Sequence, residues 1–318
     1  MAISVATVIG VGREATWGVG VTPQVLIPVE PPTFSEPFEQ ILDQLARGVN
    51  VLDHGAYQGS GHAEASLASN VYPEEIGFFL LAMLGAVSSV GTSPTVHTFS
   101  LATQPPSLSL QDEGAIYPAG ETKRRYQGML PSSLTFSFTS AEGLLTWSCD
   151  LMGSKGSAPL TGAIPADATN APFRGWHATA AIATIPDTRM ISAEITLARE
   201  IAIIHAADGL QYPVRGHSGP LEVTLSMVFD ANTYTELDRV LAHEDTAITF
   251  TFTYGTGATE KTLVFTIPKM NWGEGPVELD RSNIAVQLSV AGRAIYDRDT
   301  SKVFEATLTN SRLTYAVA

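Results

Sequence analysis

The chain has 318 residues, 44% of them hydrophobic and only 16% charged; this is enough apolar material for sizeable cores, argues against wholesale disorder and suits two domains of ~150 residues better than one. With 18 Lys and Arg against 32 Asp and Glu, the net charge of −14 argues against a protein that grips nucleic-acid phosphates or adheres non-specifically to anionic membranes. So low a charge density points to surfaces that something covers, and hence to assembly.

The first residues carry no basic stretch followed by a long apolar one, so no signal peptide is expected. Residues 1–32 read as an N-terminal arm. Within it Gly10, Gly12 and Ala15 touch the dinucleotide fingerprint, but that fingerprint needs a following helix and residues 16–23 hold Gly18, Gly20 and Pro23. The glycines are therefore read as points where backbones pass closely.

A first domain is expected over 33–153. In residues 38–48, Ile41, Leu42 and Leu45 could share a helical face, but the matching segment 191–204 is rich in β-branched residues, and both are read as strands. Residues 61–67 alternate as a strand. Pro73-Glu74-Glu75 then opens a helix with the apolar stripe Ile76, Phe79, Leu80 and Met83, closed by Gly85. The longest nearly apolar stretch, 76–87, is well short of the ~20 residues of a membrane helix. Strands follow at 97–101 and 107–110, then a long loop over 111–127 carrying the basic run Lys123-Arg124-Arg125, then strands at 134–138 and 145–153. A Gly/Ala/Pro/Ser-rich linker is expected over 154–175.

The second domain, 176–318, repeats the first. At one constant offset Glu64 matches Glu222, Leu67 matches Leu225, Phe79 matches Leu237 and Met83 matches Leu241. Asp230 is a good helix cap for the stripe Tyr234, Leu237, Val240 and Leu241. Segments 248–254 and 263–267 take the places of 97–101 and 107–110. Residues 277–280 and 284–292 take those of 134–138 and 145–153. The order strand, helix, several strands thus occurs twice, a mostly β pattern.

Chemistry does not converge anywhere. Cys149, the single cysteine, rules out an intrachain disulfide and a multi-cysteine zinc site. It alternates with Trp147 and Leu151 on an apolar face and reads as a buried hydrophobe rather than a nucleophile. The seven histidines are scattered. Asp150, Glu278 and Asp280 could serve as an acid/base pair, yet each sits on the polar face of an amphipathic strand, where solvation suffices. No catalytic residue, metal ligand or cofactor is expected.

Gly10-Val11-Gly12-Arg13-Glu14-Ala15-Thr16-Trp17-Gly18 with Pro23 and Ile27-Pro28-Val29-Glu30, Val71-Tyr72-Pro73 leading into Phe78-Phe79-Leu80-Leu81, and Gln104-Pro105-Pro106-Ser107-Leu108-Ser109-Leu110 resemble major tail tube proteins of long, non-contractile-tailed bacteriophages. The likeness covers most of the first half; the internal repeat brings in the second. It implies two tandem β-sandwich domains, each flanked by one helix, whose copies close into a ring-shaped β-barrel around a channel for DNA. Two domains per chain imply homotrimeric rings of pseudo-six-fold symmetry. Expected partners are further copies of the chain, tape measure, terminator and distal tail proteins, and passing double-stranded DNA that is not specifically bound; no membrane is expected. The polar strand positions Thr135, Ser137, Thr146, Ser148, Asp150, Gln287 and Ser289 are candidates for the channel lining. Because such rings stack through loops and arms, Arg13, Glu14, Trp17, Lys123, Arg124 and Arg125 are candidates for stacking contacts. The expected location is the virion tail, after synthesis in the host cytoplasm. The alternatives are a minor tail or tail-terminator protein, a soluble β-sandwich binding module, and a hydrolase.

Overall fold

The computed structural model describes residues 8–45, 47–113, 124–140, 143–157, 162–166, 170–183, 185–230, 238, 241–242, 244–274, 277–278 and 287–315. The alternating segments become strands because period-2 patterning lets one face be buried while the other stays polar. The chain begins with β1 (Val8–Arg13), β2 (Val25–Ile27), β3 (Thr33–Ser35), β4 (Phe38–Asp43), β5 (Gly55–Gly61) and β6 (Ala63–Asn70). Helix α1 (Ile76–Leu84) leads into β7 (Gly85–Val90), β8 (Thr95–Leu101), β9 (Leu108–Glu113), β10 (Arg124–Thr139), β11 (Thr146–Gly153) and β12 (Lys155–Ser157). Then come β13 (Ala178–Ile182), β14 (Ile185–Asp187), β15 (Met190–Ile204), β16 (Arg215–Asp230), β17 (Asp245–Tyr254), β18 (Lys261–Glu274), β19 (Val277–Glu278), β20 (Gln287–Ala294) and β21 (Glu305–Asn310).

One antiparallel sheet runs β6, β11, β10, β15, β16, β20. β3 lies outside β6 at one end, and the end of β18 with β19 lies outside β20 at the other. β4 and β5 form a separate two-stranded sheet, and the remaining pairings form two similar sets. In one, β2, β1 and β9 lead to the first half of β10, with β12 on its far side. In the other, β14, β13 and β17 lead to β18, with β21, β8 and β7 on its far side. The long strands β10 and β18 serve two sets each. Register irregularities, between Pro131 and Ser133 in β10 and between Ile267 and Met270 in β18 opposite Thr246 and Ile248, mark where each changes partners. Among the described residues these pairings never return on themselves, so one chain holds no closed barrel.

The apolar face of the six-stranded sheet is covered by the second set and by α1. Phe136 lies 4.7 Å from Phe265, Phe138 lies 4.9 Å from Phe252, and Phe79 lies 4.4 Å from Trp147, ring centre to ring centre. Cys149, opposite Leu134 and Leu67 on the neighbouring strands, is buried as well. Every residue of α1 is buried, so the expected apolar stripe is in fact an apolar cylinder, as a helix without a polar side requires. Gly85 ends it with φ of +107°, a conformation few side chains tolerate.

Several expectations change. Residues 8–32 are not a separate arm: β1 and β2 sit in a sheet, with Ile9, Val11, Val25 and Ile27 buried. A side chain at Gly10 would run into Pro23 and Ile164, and one at Gly12 into the Thr22 carbonyl. The supposed linker supplies β12, and Phe173 near its end is fully buried. In the place that β17 occupies beside β18, the first half has β9 beside β10, so the hairpin β7–β8, not foreseen as an addition, has no counterpart. Of the second helix, residues 238 and 241–242 are helical; Tyr234, Leu237 and Val240 lie outside the described residues, and Leu241 is exposed rather than core-facing. Residues 38–43 and 190–204 are strands, as the β-branched content implied.

A buried polar cluster ties β8, β18, β21 and the start of α1 together. Lys261 donates to Glu74 at 2.8 Å, and Glu74 also accepts from the Ser311 amide at 2.9 Å. Burial pushes the Glu74 carboxyl up, but these donors more than offset it and hold it below the usual range. Asn310 donates to the Pro73 carbonyl at 2.7 Å, which fixes its amide orientation. His97, fully buried, then donates from Nε2 to the Arg312 carbonyl and Asn310 Oδ1, while its Nδ1 accepts from Ser89.

Burial depresses the pKa of His97, and its hydrogen bonds to Arg312 and Asn310 only partly restore it. The unfolded chain therefore takes up a proton that the native imidazole resists, and this contribution to stability is full above the ordinary value of 6.5 and declines as pH falls below it. Denaturant titrations at pH 7.5 and pH 5.5 should show a larger loss for the wild type than for His97→Asn. Cys149, whose thiol is pushed well up by burial and then by Asp150, should react with a thiol reagent only after denaturation.

Candidate functional site

The outward face of the six-stranded sheet gathers the polar residues. Reading across the register, Ala68, Ser148, Thr135, Thr196, Thr224 and Arg293 form one row, and Asn70, Thr146, Ser137, Glu194, Ser226 and Ala291 form the next. Val228 stands opposite Ser289, and Asp230 opposite Gln287. All seven polar positions singled out in the sequence thus share one face of one sheet. Thr135 and Thr196 hydroxyls are 3.1 Å apart, and those of Ser137 and Thr146 are 2.9 Å apart. Asp150 accepts from Ser66 at 2.8 Å and from Ser133 at 3.0 Å.

Strands β15 and β16 contribute as much to this face as β10 and β11. Glu194, Thr196, Thr224 and Ser226 were not singled out from the sequence, although the alternation of Ser192, Glu194 and Thr196 with Ala193, Ile195 and Leu197 carries the signal. The charged side chains of the face are Glu64, Asp150, Glu194, Glu222 and Asp230 against Arg293, which pairs with Glu222 at 3.1 Å. No group of three or more His, Cys, Asp or Glu residues suited to a metal ion occurs among the described residues.

The positions proposed for stacking are placed differently. Glu14 is buried and accepts from Ser107 at 2.6 Å, Ser109 at 2.7 Å and the amides of Gly128 and Gly18 at 2.9 Å. Burial pushes its carboxyl up, and these four donors pull it part of the way back. Arg13 donates to the Tyr315 carbonyl, and Trp17 lies against Gly128 and Gly216. Arg124 pairs with Glu36, and buried Arg125 donates to Gln111 at 2.7 Å. Lys123 lies outside the described residues. The motif around Arg13-Glu14 therefore anchors the N-terminal segment inside the chain.

A family model described as phage tail tube protein matches residues 4–294. The chain belongs to the phage tail tube protein family. It is thus a structural protein of the phage tail. A comparison with curated proteins finds no match. In this tail tube protein no helix among the described residues is long and apolar enough to cross a membrane. The match spans both halves of the sequence, including the β10–β15 junction, so the polar sheet face lies wholly within the family's extent.

Replacing Glu14 by Gln removes one acceptor oxygen and turns an amide towards donors. Glu14→Gln should destabilise the protein by about 1–3 kcal/mol, read as a lower denaturation midpoint, whereas an exposed Glu→Gln change such as Glu200→Gln should leave it nearly unchanged.

Proposed function

We propose that the chain is the major tail tube subunit of a long-tailed, non-contractile phage, built as a tandem duplication of one tube domain, and that three chains close into a ring of pseudo-six-fold symmetry. Stacked rings form the tube through which the genome passes into the host. The subunit is made in the host cytoplasm, has no catalytic role, and meets the tape measure, terminator and distal tail proteins at the ends of its assembly.

The observation that carries this reading is the continuous polar sheet face, with five carboxylates against one guanidinium. A wall that conducts DNA must not hold it. Each cation contacting phosphate releases counterions and adds affinity, so a wall rich in hydroxyls and carboxylates repels the polymer and lets it slide. The strand connectivity supports the duplication, since two similar sets of pairings in one chain, apart from the added β7–β8 hairpin, would supply two of the six positions of a ring.

Negative-stain microscopy of the purified protein at high concentration should show rings or tubes with a regular axial repeat and a central channel, and mass measurement of isolated rings should give three chains. A protein that stays monomeric at every concentration would overturn the reading. Six chains per ring would retain the tube but reject the duplication argument.

A further inference from the structure

Strand β15 turns Ala193, Ile195 and Leu197 towards the core and Glu194, Thr196 and Ala198 away from it, and Arg199 falls on the core side. An arginine thus stands where the alternation asks for an apolar residue, and only 5% of its surface is exposed. A guanidinium so placed loses its hydration and needs an anion or several acceptors in exchange.

The chain supplies little of this. Among the described residues, the one hydrogen bond of the Arg199 side chain runs from Nη2 to the Ala102 carbonyl at 3.4 Å, longer than the about 2.9 Å at which a charged donor bonds well. Its Nε is buried with no partner. Glu222, opposite Ala198, is engaged with Arg293 on the outward face, and Glu200 is exposed. Burial pushes the pKa of the Arg199 guanidinium down, and no carboxylate draws it back. Arg125 is equally buried but differs on each point. Two of its nitrogens donate to Gln111, and the charge of Glu14 opposes the effect of burial.

Ala102 and Leu221, the residue opposite Arg199 in the ladder, both line a cavity of about 550 Å³. Ser218 lines it too, and its buried hydroxyl has no partner. Leu101 and Tyr296, both exposed, complete the outer part of the wall. Two unsatisfied donors, one of them permanently charged, therefore stand at one concave place. The fork of a guanidinium matches two oxygens of a carboxylate or phosphate group, and a hydroxyl donor suits the same chemistry.

We propose that this cavity is an oxyanion site, in which a carboxylate or phosphate group accepts from the Arg199 guanidinium and the Ser218 hydroxyl. The group belongs either to a small anion in solution or to an acidic side chain of a second copy of the chain, since both present the same oxygens. The site requires no particular arrangement of copies in a tube.

Thermal denaturation of the whole chain tests the site and separates the two sources. Dilute protein is titrated with sodium phosphate, and separately with sodium acetate, at an ionic strength held constant with sodium chloride. If a free anion fills the site, the wild-type midpoint rises with phosphate or acetate, as mass action requires of a ligand that binds only the folded state, while Arg199→Met shows no such rise. Ser218→Ala should then need about threefold or more anion for the same shift. If a second copy fills the site, the wild-type midpoint rises with protein concentration in chloride alone, and Arg199→Met abolishes that rise. Should Arg199→Met fail to fold, Arg199→Lys keeps the charge without the fork and should weaken either response by about threefold or more. A wild-type midpoint indifferent to phosphate, acetate and protein concentration overturns the site, and so does a response that the Arg199 variant retains in full, which marks anions held elsewhere on the surface.

Discussion

The backbone ladder between β10 and β15 is the constraint on which the rest of the structure depends. It makes one sheet of two half-sheets, and because side chains alternate with period 2, fixing that register fixes every face at once. A slip of one residue would turn Phe136 and Ile195 outward and bring Thr135 and Thr196 into the core. The rings of Phe136 and Phe138 against β17 and β18 make such a slip costly, so the core enforces the polar face and the polar face needs no separate device.

The second layer adds cross-links of another kind. β8, from the first half of the sequence, pairs with β21 near the C-terminus, and the Glu74–Lys261 and His97–Asn310 contacts lie where these meet α1. The two halves are thus joined twice, once by a ladder that carries the polar surface and once by a buried polar cluster behind it. These two joins fix the relation between the halves, and with it the register of the shared polar face.

Much of this was legible in the sequence, for a physical reason. Alternation is a local signal, and Leu134-Thr135-Phe136-Ser137-Phe138 or Ile195-Thr196-Leu197 announce both strand and face without tertiary information. The N-terminal segment was misread because its short strands are spaced by glycines and prolines; only contact with β9 gives Ile9 and Val11 a core to join. Glu14 reads as a surface charge because nothing local reveals that Ser107, Ser109 and the distant Gly128 amide converge on it. The offset between repeats sets Leu67 against Leu225 by pattern, yet Leu67 pairs with Cys149 in one half while Leu225 pairs with Gly292 in the other, a register set by long-range packing. The additional hairpin β7–β8 was invisible for the same reason, as its role lies in meeting β21.

The Glu74–Lys261 pair has a further consequence. Both side chains are almost wholly enclosed, so dissolved ions do not come between them, whereas the Arg293–Glu222 pair on the sheet face is open to solvent. Brine and dilute water therefore leave the internal clamp alike and alter the exposed charges of the sheet face. The fold's internal clamp is thus insensitive to salinity, while the repulsion that the carboxylates of the sheet face exert on any polyanion rises and falls with it.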